Sequence, residues 1–264
     1  MIVKEQLVKQ LNELNIPNCN PVIVHCSMRA IGKVDGGAQT VLDVLIERFA
    51  KEKGLLIIPT HTWANFEDKK EIILDYTDNK TCTGALSNVA LVDKRAIRSS
   101  NPTHSVAVFG KNAKEFASLD DKVITPCAPH GCYGEIIKRG GYVLLIGVGQ
   151  EKNTLLHAVE EILSVPRRLS KTPVKMAIKK CDQTICYRDF HYMTEEVCDV
   201  SINFPKYEQA FRYHNAIRDA KLGNANVQVC DAKIMLDVMA LVKNRSSGAE
   251  LLEDSTPLSK FLYI

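Results

Sequence analysis

A strand, a helix and a second strand follow one another near the start of the chain, and this order constrains the fold more than any other feature. Residues 21–26 and 55–59 are short runs of mostly apolar and β-branched side chains, typical of strands covered on both faces. Between them, apolar side chains recur at helical spacing from Val41 to Phe49. This order predicts a βαβ unit with two parallel strands and a right-handed crossover.

Strand and helix patterns continue to alternate along the rest of the chain. The expected elements are a helix at 84–92, a strand at 105–109, helices at 133–138 and 154–163 on either side of a strand at 142–149, a hairpin of 174–179 with 184–189, and helices at 207–217 and 232–242. Residues 61–81 carry no period and hold the only tryptophan, so a long loop over the carboxyl edge of the sheet is expected there. The predicted fold is α/β, with a mixed, largely parallel central sheet flanked by helices and an antiparallel C-terminal addition, in a single domain over 1–264.

Charge and hydropathy exclude several classes of protein. The 264 residues include 34 Lys and Arg against 31 Asp and Glu, a net charge of +3 that is too small and too scattered for a nucleic-acid or membrane surface. The longest strongly apolar run, 142–148, is far shorter than the roughly 18 residues of a membrane-spanning helix. The first residues lack the pattern of a secretory signal. We therefore expect a cytoplasmic protein with no nucleic-acid or membrane partner.

The cysteines indicate reduced thiols. Nine of them are spread along the chain without a dense framework, and nine is an odd number. Cys127, His130 and Cys132 lie close together in sequence and raise the question of a zinc site, but the paired CxxC spacing of structural zinc sites is missing. A Pro/Gly loop carrying incidental thiols is the preferred interpretation, and no metal is expected.

Two glycines at the start of the second helix could receive an anion. Gly36, Gly37 and Ala38 precede the apolar helical run, where unpaired backbone N–H groups and the positive end of the helix dipole favour a phosphate. The sequence has neither the Walker pattern nor the GxGxxG fingerprint. A simple flexible turn between strand and helix explains the same residues.

A polar stripe is expected on the helix at 154–163, which follows the most strand-like segment of the chain. Thr154, His157 and Glu160 are spaced by three residues and share one face. A carboxylate one turn away can orient an imidazole or raise its basicity, which makes His157 a candidate general base. The alternative is a solvated stripe with a capping residue at its start.

Other polar groups are expected at the same sheet edge. The loop from Arg98 to Ser105 supplies a guanidinium, hydroxyls and an imidazole suited to phosphate or pantetheine amides, or else a capped turn. His25 and His61 also lie at strand ends and could face the same crevice. Cys26 could act as a nucleophile activated by a histidine, although a buried, inert cysteine is commoner.

Taken together, these segments resemble the aminoglycoside 3-N-acetyltransferase family, whose fold differs from that of the GNAT acetyltransferases. The motifs that carry the resemblance occur in the family's order, at 24–38, 56–61, 98–105, 142–149, 153–160 and 221–225. Several ordered motifs are more specific than any single one.

The resemblance implies an acetyl-CoA-dependent N-acetyltransferase. By this resemblance, the coenzyme A pyrophosphate would be held by Ser27, Met28, Gly36, Gly37 and Ala38. The pantetheine arm and the nucleotide would lie along Thr60, Arg98 and Ser105. His157 would deprotonate the incoming amine, Glu160 would orient it, and Thr154 would help to place the thioester or its developing oxyanion. Direct attack within a ternary complex is the implied mechanism.

The acceptor is less well defined than the donor. The family's histidine in the 98–105 motif is Asn101 here, although His104 matches a subset of members, so neither carries a catalytic assignment. Acidic residues between 67 and 78 that could attract a polycationic aminoglycoside are offset by lysines at 69, 70 and 80. The acceptor is expected to be an amine of an aminoglycoside or a related amino sugar, and the chain a monomer or homodimer. A cysteine hydrolase using Cys26 and a non-catalytic coenzyme A or sugar-binding protein remain as alternatives.

Overall fold

The computed structural model describes residues 1–78, 80–194, 199–246 and 254–264. The strands within these ranges are β1 (Pro21–Cys26), β2 (Leu55–Pro59), β3 (Ile72–Asp75), β4 (Ile97–Arg98), β5 (Val106–Phe109), β6 (Tyr142–Ile146), β7 (Val174–Lys179), β8 (Ile185–Phe190), β9 (Ile217–Leu222) and β10 (Ala225–Asp231). The α-helices are α1 (Lys4–Asn12), α2 (Met28–Ile31), α3 (Gly37–Phe49), α4 (Trp63–Glu67), α5 (Ala85–Val92), α6 (Ala113–Ala117), α7 (Cys132–Lys138), α8 (Leu155–Ile162), α9 (Glu208–Tyr213) and α10 (Ala232–Arg245).

Seven strands form the central sheet, in the order β4-β5-β2-β1-β6-β10-β9. The three strands at its centre are parallel, since β1 pairs in parallel with both β2 and β6. The outer pairings, on either side, are antiparallel. The predicted mixed α/β class is confirmed, and parallel pairing is confined to the centre of the sheet.

The predicted βαβ unit is confirmed at the centre of the sheet. Strands β1 and β2 occupy the predicted residues, and Ile23 lies opposite Ile57 in their parallel register. Helix α3 makes the crossover. Side chains of these strands alternate between two apolar clusters, so that Ile23 packs on one face and Val22 and Val24 pack on the other. Full burial of each such side chain stabilises the fold by about 1.5–3 kcal/mol, which explains why both faces carry helices.

Each face of the sheet has its own helices. Helices α1, α3 and α5 contribute to the cluster that contains Val22, and α7, α8 and α10 contribute to the cluster that contains Ile23. In the part of the chain that the structure describes, no helix is both long and apolar enough to cross a bilayer. The expectation of a single domain stays a prediction.

The segment 61–81 differs from the expected loop, because it contains helix α4 and strand β3. Strand β3 pairs in parallel with β7, and β7 pairs antiparallel with β8, to give a three-stranded second sheet. The predicted hairpin of 174–179 and 184–189 is therefore confirmed, with a partner strand that the sequence did not indicate. A four-residue strand is too short to show a clear alternation of apolar and polar residues, and its partner lies about a hundred residues away in sequence.

The predicted helix at 207–217 was wrong in its second half. Helix α9 ends at Tyr213, and Asn215 has a left-handed φ of 58°, which no continuing helix permits. Strand β9 begins at Ile217 and pairs with β10, which adds an antiparallel hairpin to the edge of the central sheet.

Candidate functional site

A cavity of about 1150 Å³ lies at the carboxyl ends of the central parallel strands. Its wall includes Cys26 at the end of β1, Pro59 at the end of β2, and Val148 just after β6. Open α/β sheets place their ligands at this edge, where the chain leaves each parallel strand. The second sheet and the segment before it close the other side, with Phe66, Ile73 and Lys175 among the lining residues.

The predicted pair of His157 and Glu160 is present on this wall. Both project from α8, three residues apart, and His157 Nδ1 lies 3.1 Å from Glu160 Oε2. His157 lines the cavity, whereas the carboxylate lies behind it and is only 1% exposed. The imidazole also packs against Phe204, with ring centroids 4.8 Å apart. Contacts on two sides hold the ring against the cavity.

Thr154 lies at the start of the same helix and also lines the cavity. It occupies the cap position of α8, and its side chain makes no capping hydrogen bond. Its carbonyl oxygen accepts a hydrogen bond from the His157 backbone N–H at 3.1 Å. The threonine hydroxyl is therefore not used to cap the helix, and Thr154 lines the same cavity as His157.

Arg168 completes this group and was missed from the sequence. Its Nε donates a hydrogen bond to Glu160 Oε2 at 2.9 Å, and its Nη2 lies 3.2 Å from His157 Nδ1. The arginine side chain is only 6% exposed. Buried carboxylates are almost never found without a partner, so an inward-facing Glu160 is itself a signal that a cation should lie nearby.

Three further histidines, His25, His61 and His104, line the same cavity. The prediction that His25 and His61 share a crevice is confirmed. His61 Nε2 lies 2.7 Å from the Tyr133 hydroxyl, and the rings of His61 and His104 are 4.5 Å apart. The ring of His104 is held in turn by Thr103, whose Oγ1 lies 2.9 Å from Nδ1.

Burial keeps these three imidazoles neutral near pH 7. Desolvation lowers the pKa of His25 and of His104 to about 3. Desolvation also lowers the pKa of His61 well below its usual value, with the neighbouring imidazoles adding to the effect. The buried His25 Nε2 has no hydrogen-bond partner among the described residues.

The thiols in the cavity are poor nucleophiles. Burial raises the pKa of Cys26 to about 12, and it raises the pKa of Cys82 as well. The thiolate is the reactive form of cysteine, and it is scarce at neutral pH when the pKa is raised in this way. The Cys82 thiol donates to the carbonyl oxygen of His61 at 3.2 Å.

Only some of the residues expected to hold the pyrophosphate line the cavity. Ser27 lines the cavity, and its Oγ accepts a hydrogen bond from the Ala30 N–H at 3.3 Å at the start of α2. Met28 is half-buried and packs against the apolar cluster of α1 and α3 rather than lining the cavity. Of this pair, the structure brings only Ser27 to the cavity that holds His157.

Gly36, Gly37 and Ala38 also lie outside the cavity lining, at the start of α3. Gly36 and Gly37 have left-handed φ values of 72° and 64°. A Cβ atom at Gly37 would meet nothing within 4 Å, so the main chain there is open to a close approach. Their role toward a phosphate stays a prediction.

Thr60, Arg98 and Ser105 form a connected network behind the cavity lining. The Thr60 and Ser105 hydroxyl oxygens are 3.0 Å apart, and Arg98 Nε donates to Ser105 Oγ at 3.2 Å. Arg98 also donates to the carbonyl oxygen of Asp75 at 3.1 Å. Burial lowers the pKa of Arg98 to about 10. These contacts tie β2, β3 and β5 together, and a place on the coenzyme A path stays a prediction.

Charges of both signs line the cavity. The acidic lining residues in the described ranges are Glu67, Glu71, Glu151 and Asp199, and the lysines are Lys69, Lys70, Lys152 and Lys175. Among the residues described, no group of three or more histidine, cysteine or acidic side chains is arranged to hold a metal ion. Cys127 and Cys132 are buried, and the Cys132 thiol donates to the carbonyl oxygen of Phe116 at 3.4 Å.

The comparison to known proteins agrees with the mixed α/β fold. The chain belongs to the aminoglycoside 3-N-acetyltransferase family, whose sequence profile matches residues 23–242. The matched region contains every residue assigned above to catalysis or to coenzyme A. Members of this family are acyltransferases that use acetyl-CoA as co-substrate, and this chain is an enzyme of that class.

Its relatives are distant in sequence and similar in structure. The chain is 22% identical to the aminoglycoside N(3′)-acetyltransferase-like protein YokD of Bacillus subtilis over 86% of each chain. The aminoglycoside acetyltransferase AAC(3)-IVa in complex with a gentamicin superposes with a TM-score of 0.76 at 20% identity, covering 93% of this chain and 90% of that one. AAC-IIIb in a binary complex with CoASH superposes with a TM-score of 0.76 at 17% identity, covering 92% of this chain and 97% of that one. The two solved structures show the same fold.

Proposed function

We propose that this chain transfers the acetyl group of acetyl-CoA to an amine of an aminoglycoside or a related amino sugar, with His157 as the general base. The observation that carries the proposal is the position of His157, which lines the large cavity while its Nδ1 faces the buried carboxylate of Glu160. This arrangement leaves the other ring nitrogen, Nε2, for a substrate.

The chemistry requires a base because an alkyl amine is protonated near pH 7 and must lose a proton before it attacks. The neutral amine then attacks the thioester carbonyl carbon, and His157 Nε2 accepts the proton that the nitrogen loses as the nitrogen–carbon bond forms. The carbon–sulfur bond breaks, and the coenzyme A thiolate takes up that proton and leaves as the free thiol. Glu160 accepts a hydrogen bond from Nδ1 and stabilises the ring after it has taken the proton. The Thr154 hydroxyl, which is free of a capping role, donates to the oxygen that gains negative charge.

The cavity suits acetyl-CoA as the donor of the acetyl group. Its volume of about 1150 Å³ exceeds that of most small-molecule pockets, which leaves room for a long arm as well as for an acceptor. Its polar groups include the Ser27 hydroxyl, which suits the amides of a pantetheine arm.

The lining charges bear on the acceptor. A polycation is attracted by an acidic wall, whereas the described lining carries four lysines beside its four acidic residues. An amine-bearing sugar is therefore the acceptor that we propose, with aminoglycosides as one class to be tested among several.

The proposal is tested by mixing the purified protein with acetyl-CoA and a panel of amino sugars and aminoglycosides and following the release of free thiol. His157→Gln should lower kcat by about two to four orders of magnitude while leaving acetyl-CoA affinity largely unchanged. The matched control is His130→Gln, at an exposed histidine outside the cavity lining, which should behave as the wild type. Absence of thiol release across the panel, together with absence of acetyl-CoA binding by calorimetry, would overturn the proposal.

Two other functions give different results in the same assays. A cysteine hydrolase would lose turnover in Cys26→Ala and keep it in His157→Gln, a pattern opposed by the raised pKa of Cys26. A non-catalytic binding protein would bind acetyl-CoA and release no thiol with any amine.

A further inference from the structure

Two charged groups approach the same nitrogen of His157. Glu160 Oε2 lies 3.1 Å from Nδ1, and Arg168 Nη2 lies 3.2 Å from it. Arg168 also donates through Nε to the same carboxylate oxygen at 2.9 Å. The three side chains therefore form a closed triangle in which His157 and Arg168 line the cavity and the Glu160 carboxylate lies behind them.

Only one of the two contacts to Nδ1 can be a hydrogen bond at a given moment. A guanidinium can only donate and an ionised carboxylate can only accept. When Nδ1 carries hydrogen, it donates to Glu160, and Nε2 presents a lone pair to the cavity. When Nδ1 is bare, it accepts from Arg168, and the ring hydrogen lies on Nε2, where the ring cannot act as a base. The proton position on His157 is thus set by the balance between Glu160 and Arg168.

We propose that Arg168 is a positioning residue for acetyl transfer, which holds the Glu160 carboxylate beside His157 Nδ1 and opposes a second proton on the imidazole. This inference rests on the proposed function, because it assigns a task to a neighbour of the proposed base. A resting enzyme needs an unprotonated His157 at neutral pH. The guanidinium places a positive charge 3.2 Å from Nδ1, opposite in sign to the Glu160 carboxylate at 3.1 Å.

The imidazole of His157 contacts two charged side chains, and Glu161 on the same helix interacts electrostatically with both of them. Its own helix supplies Glu160, and the loop after α8 supplies Arg168. Across the cavity lie His61 and His104, which burial keeps neutral. From the segment 200–207 comes the uncharged ring of Phe204. Arg168 is therefore the cation that acts most directly on the imidazole.

The backbone of Arg168 is anchored to the cavity wall. Its carbonyl oxygen accepts a hydrogen bond from the Thr194 N–H at 3.1 Å, and the next residue, Leu169, forms an isolated bridge with Met193. Met193 and Thr194 both line the cavity. A fixed backbone limits the places the guanidinium can reach, as positioning requires.

The test compares Arg168→Gln and Arg168→Lys with the neighbouring Arg167→Gln, whose side chain is exposed. We expect Arg168→Gln to lower kcat about 10- to 100-fold, the usual loss when a group that orients a site residue is removed. The KM for acetyl-CoA should stay within about threefold, because the base rather than the donor site is disturbed. Arg168→Lys should recover part of kcat, since an ammonium still neutralises Glu160 but cannot reproduce the forked contact.

The pH profile separates positioning from a merely structural role. Without the guanidinium, the imidazole accepts a second proton more readily, so the acidic limb of the kcat–pH profile should move to higher pH in Arg168→Gln. An unmoved limb, an unchanged kcat, or equal losses in Arg167→Gln and Arg168→Gln would each overturn the inference. If Arg168→Gln does not fold, the same comparison is made with Arg168→Lys, whose limb should move in the same direction by less.

The inference and the proposed function fail in distinguishable ways. If the wild type transfers acetyl to no amine, the proposed function fails, and nitrogen NMR of histidine-labelled protein without substrates still reports the ring of His157. Near pH 7, that spectrum should show a larger doubly protonated fraction in Arg168→Gln than in the wild type. Equal fractions would refute the role of Arg168 whatever the activity.

Discussion

The Nε2 atom of His61 lies 2.7 Å from the hydroxyl oxygen of Tyr133, although the two residues are 72 positions apart in the chain. Both side chains are buried, and the tyrosine comes from α7 beneath the sheet. The contact fixes the imidazole at the end of β2 so that its ring packs against His104. The Tyr133 hydroxyl thus fixes the orientation of the His61 ring, which forms part of the cavity wall.

Removal of that hydroxyl should destabilise the protein without changing its shape. In Tyr133→Phe the buried Nε2 of His61 loses its partner, and an unsatisfied buried group costs about 1–3 kcal/mol. Urea unfolding followed by far-UV circular dichroism measures the difference. The control is Tyr213→Phe on α9, an exposed position that should change the free energy of unfolding by less than about 0.5 kcal/mol. Equal effects at the two tyrosines would contradict this account.

The neutral histidines should make the fold sensitive to acid. Because burial lowers the pKa of His104 to about 3, the unfolded chain binds a proton below about pH 6.5 that the folded chain does not. Stability therefore rises with pH in this window and is lost as the pH falls from about 6.5 toward 3, by up to about 1.4 kcal/mol per pH unit for each such histidine. His61 acts in the same direction.

This dependence is checked by measuring the free energy of unfolding between pH 4 and 7 for the wild type and for His104→Gln. The variant should show a shallower slope, because glutamine does not titrate. Parallel slopes would mean that His104 is protonated in the folded protein.

Glu160→Gln should act on the pH profile in the sense opposite to Arg168→Gln. With a neutral amide beside Nδ1 and the guanidinium still present, a second proton on His157 becomes less favourable. The acidic limb of the kcat–pH profile should move to lower pH, and kcat should fall about 10- to 1000-fold, because the protonated ring formed during transfer loses its partner.

The same substitution should also lower stability, because it removes the carboxylate that forms a direct ion pair with the buried Arg168. Breaking a buried ion pair in this way costs about 3–5 kcal/mol. Thermal unfolding measures this loss separately from the kinetic one, and Glu115→Gln, at an exposed position outside the cavity lining, is the matched control for both. A limb that moves to higher pH would show that the carboxylate does not stabilise the protonated ring.

Gly147, in the loop after β6, can be compared with Gly37, at the start of α3, because the two glycines have nearly equal φ angles. Gly147 has φ of 65° and Gly37 has φ of 64°, so alanine at either position meets the same backbone strain of about 1–2 kcal/mol. A Cβ atom at Gly147 would also collide with the Ala30 Cβ, whereas at Gly37 it would meet nothing within 4 Å. Gly147→Ala should therefore be the more destabilising of the two in urea unfolding, by about 1–3 kcal/mol. A smaller loss at Gly147 than at Gly37 would contradict the close approach of α2.

The centre of the fold was predictable from sequence because its strands are buried on both faces. Such strands read as continuous apolar runs, and β1, β2 and β6 were each recognised in this way. Strand β9 was missed because it is an edge strand with one exposed face, and its sequence Ile-Arg-Asp-Ala-Lys-Leu looks as polar as a surface helix.

The site was predictable only where its residues are neighbours in sequence. Thr154, His157 and Glu160 follow one another at a spacing of three residues, so their common face on a helix follows from helix geometry. Arg168 arrives from a loop eleven residues after His157, and Tyr133 reaches His61 only through the packing of α7. Thr60 and Ser105 are the reverse case: Thr60 follows the end of β2 and Ser105 precedes the start of β5 at the predicted edge, and yet their hydroxyl groups bond one another behind the cavity lining.

The parallel pairing of β3 with β7 also has a consequence for how the protein is made. Ile72 lies opposite Ala177, so this register joins chain segments that leave the ribosome far apart in time. Long-range contacts of this kind form late, because loop closure must be achieved before pairing stabilises it. The outer wall of the cavity is therefore completed only after most of the polypeptide has been synthesised.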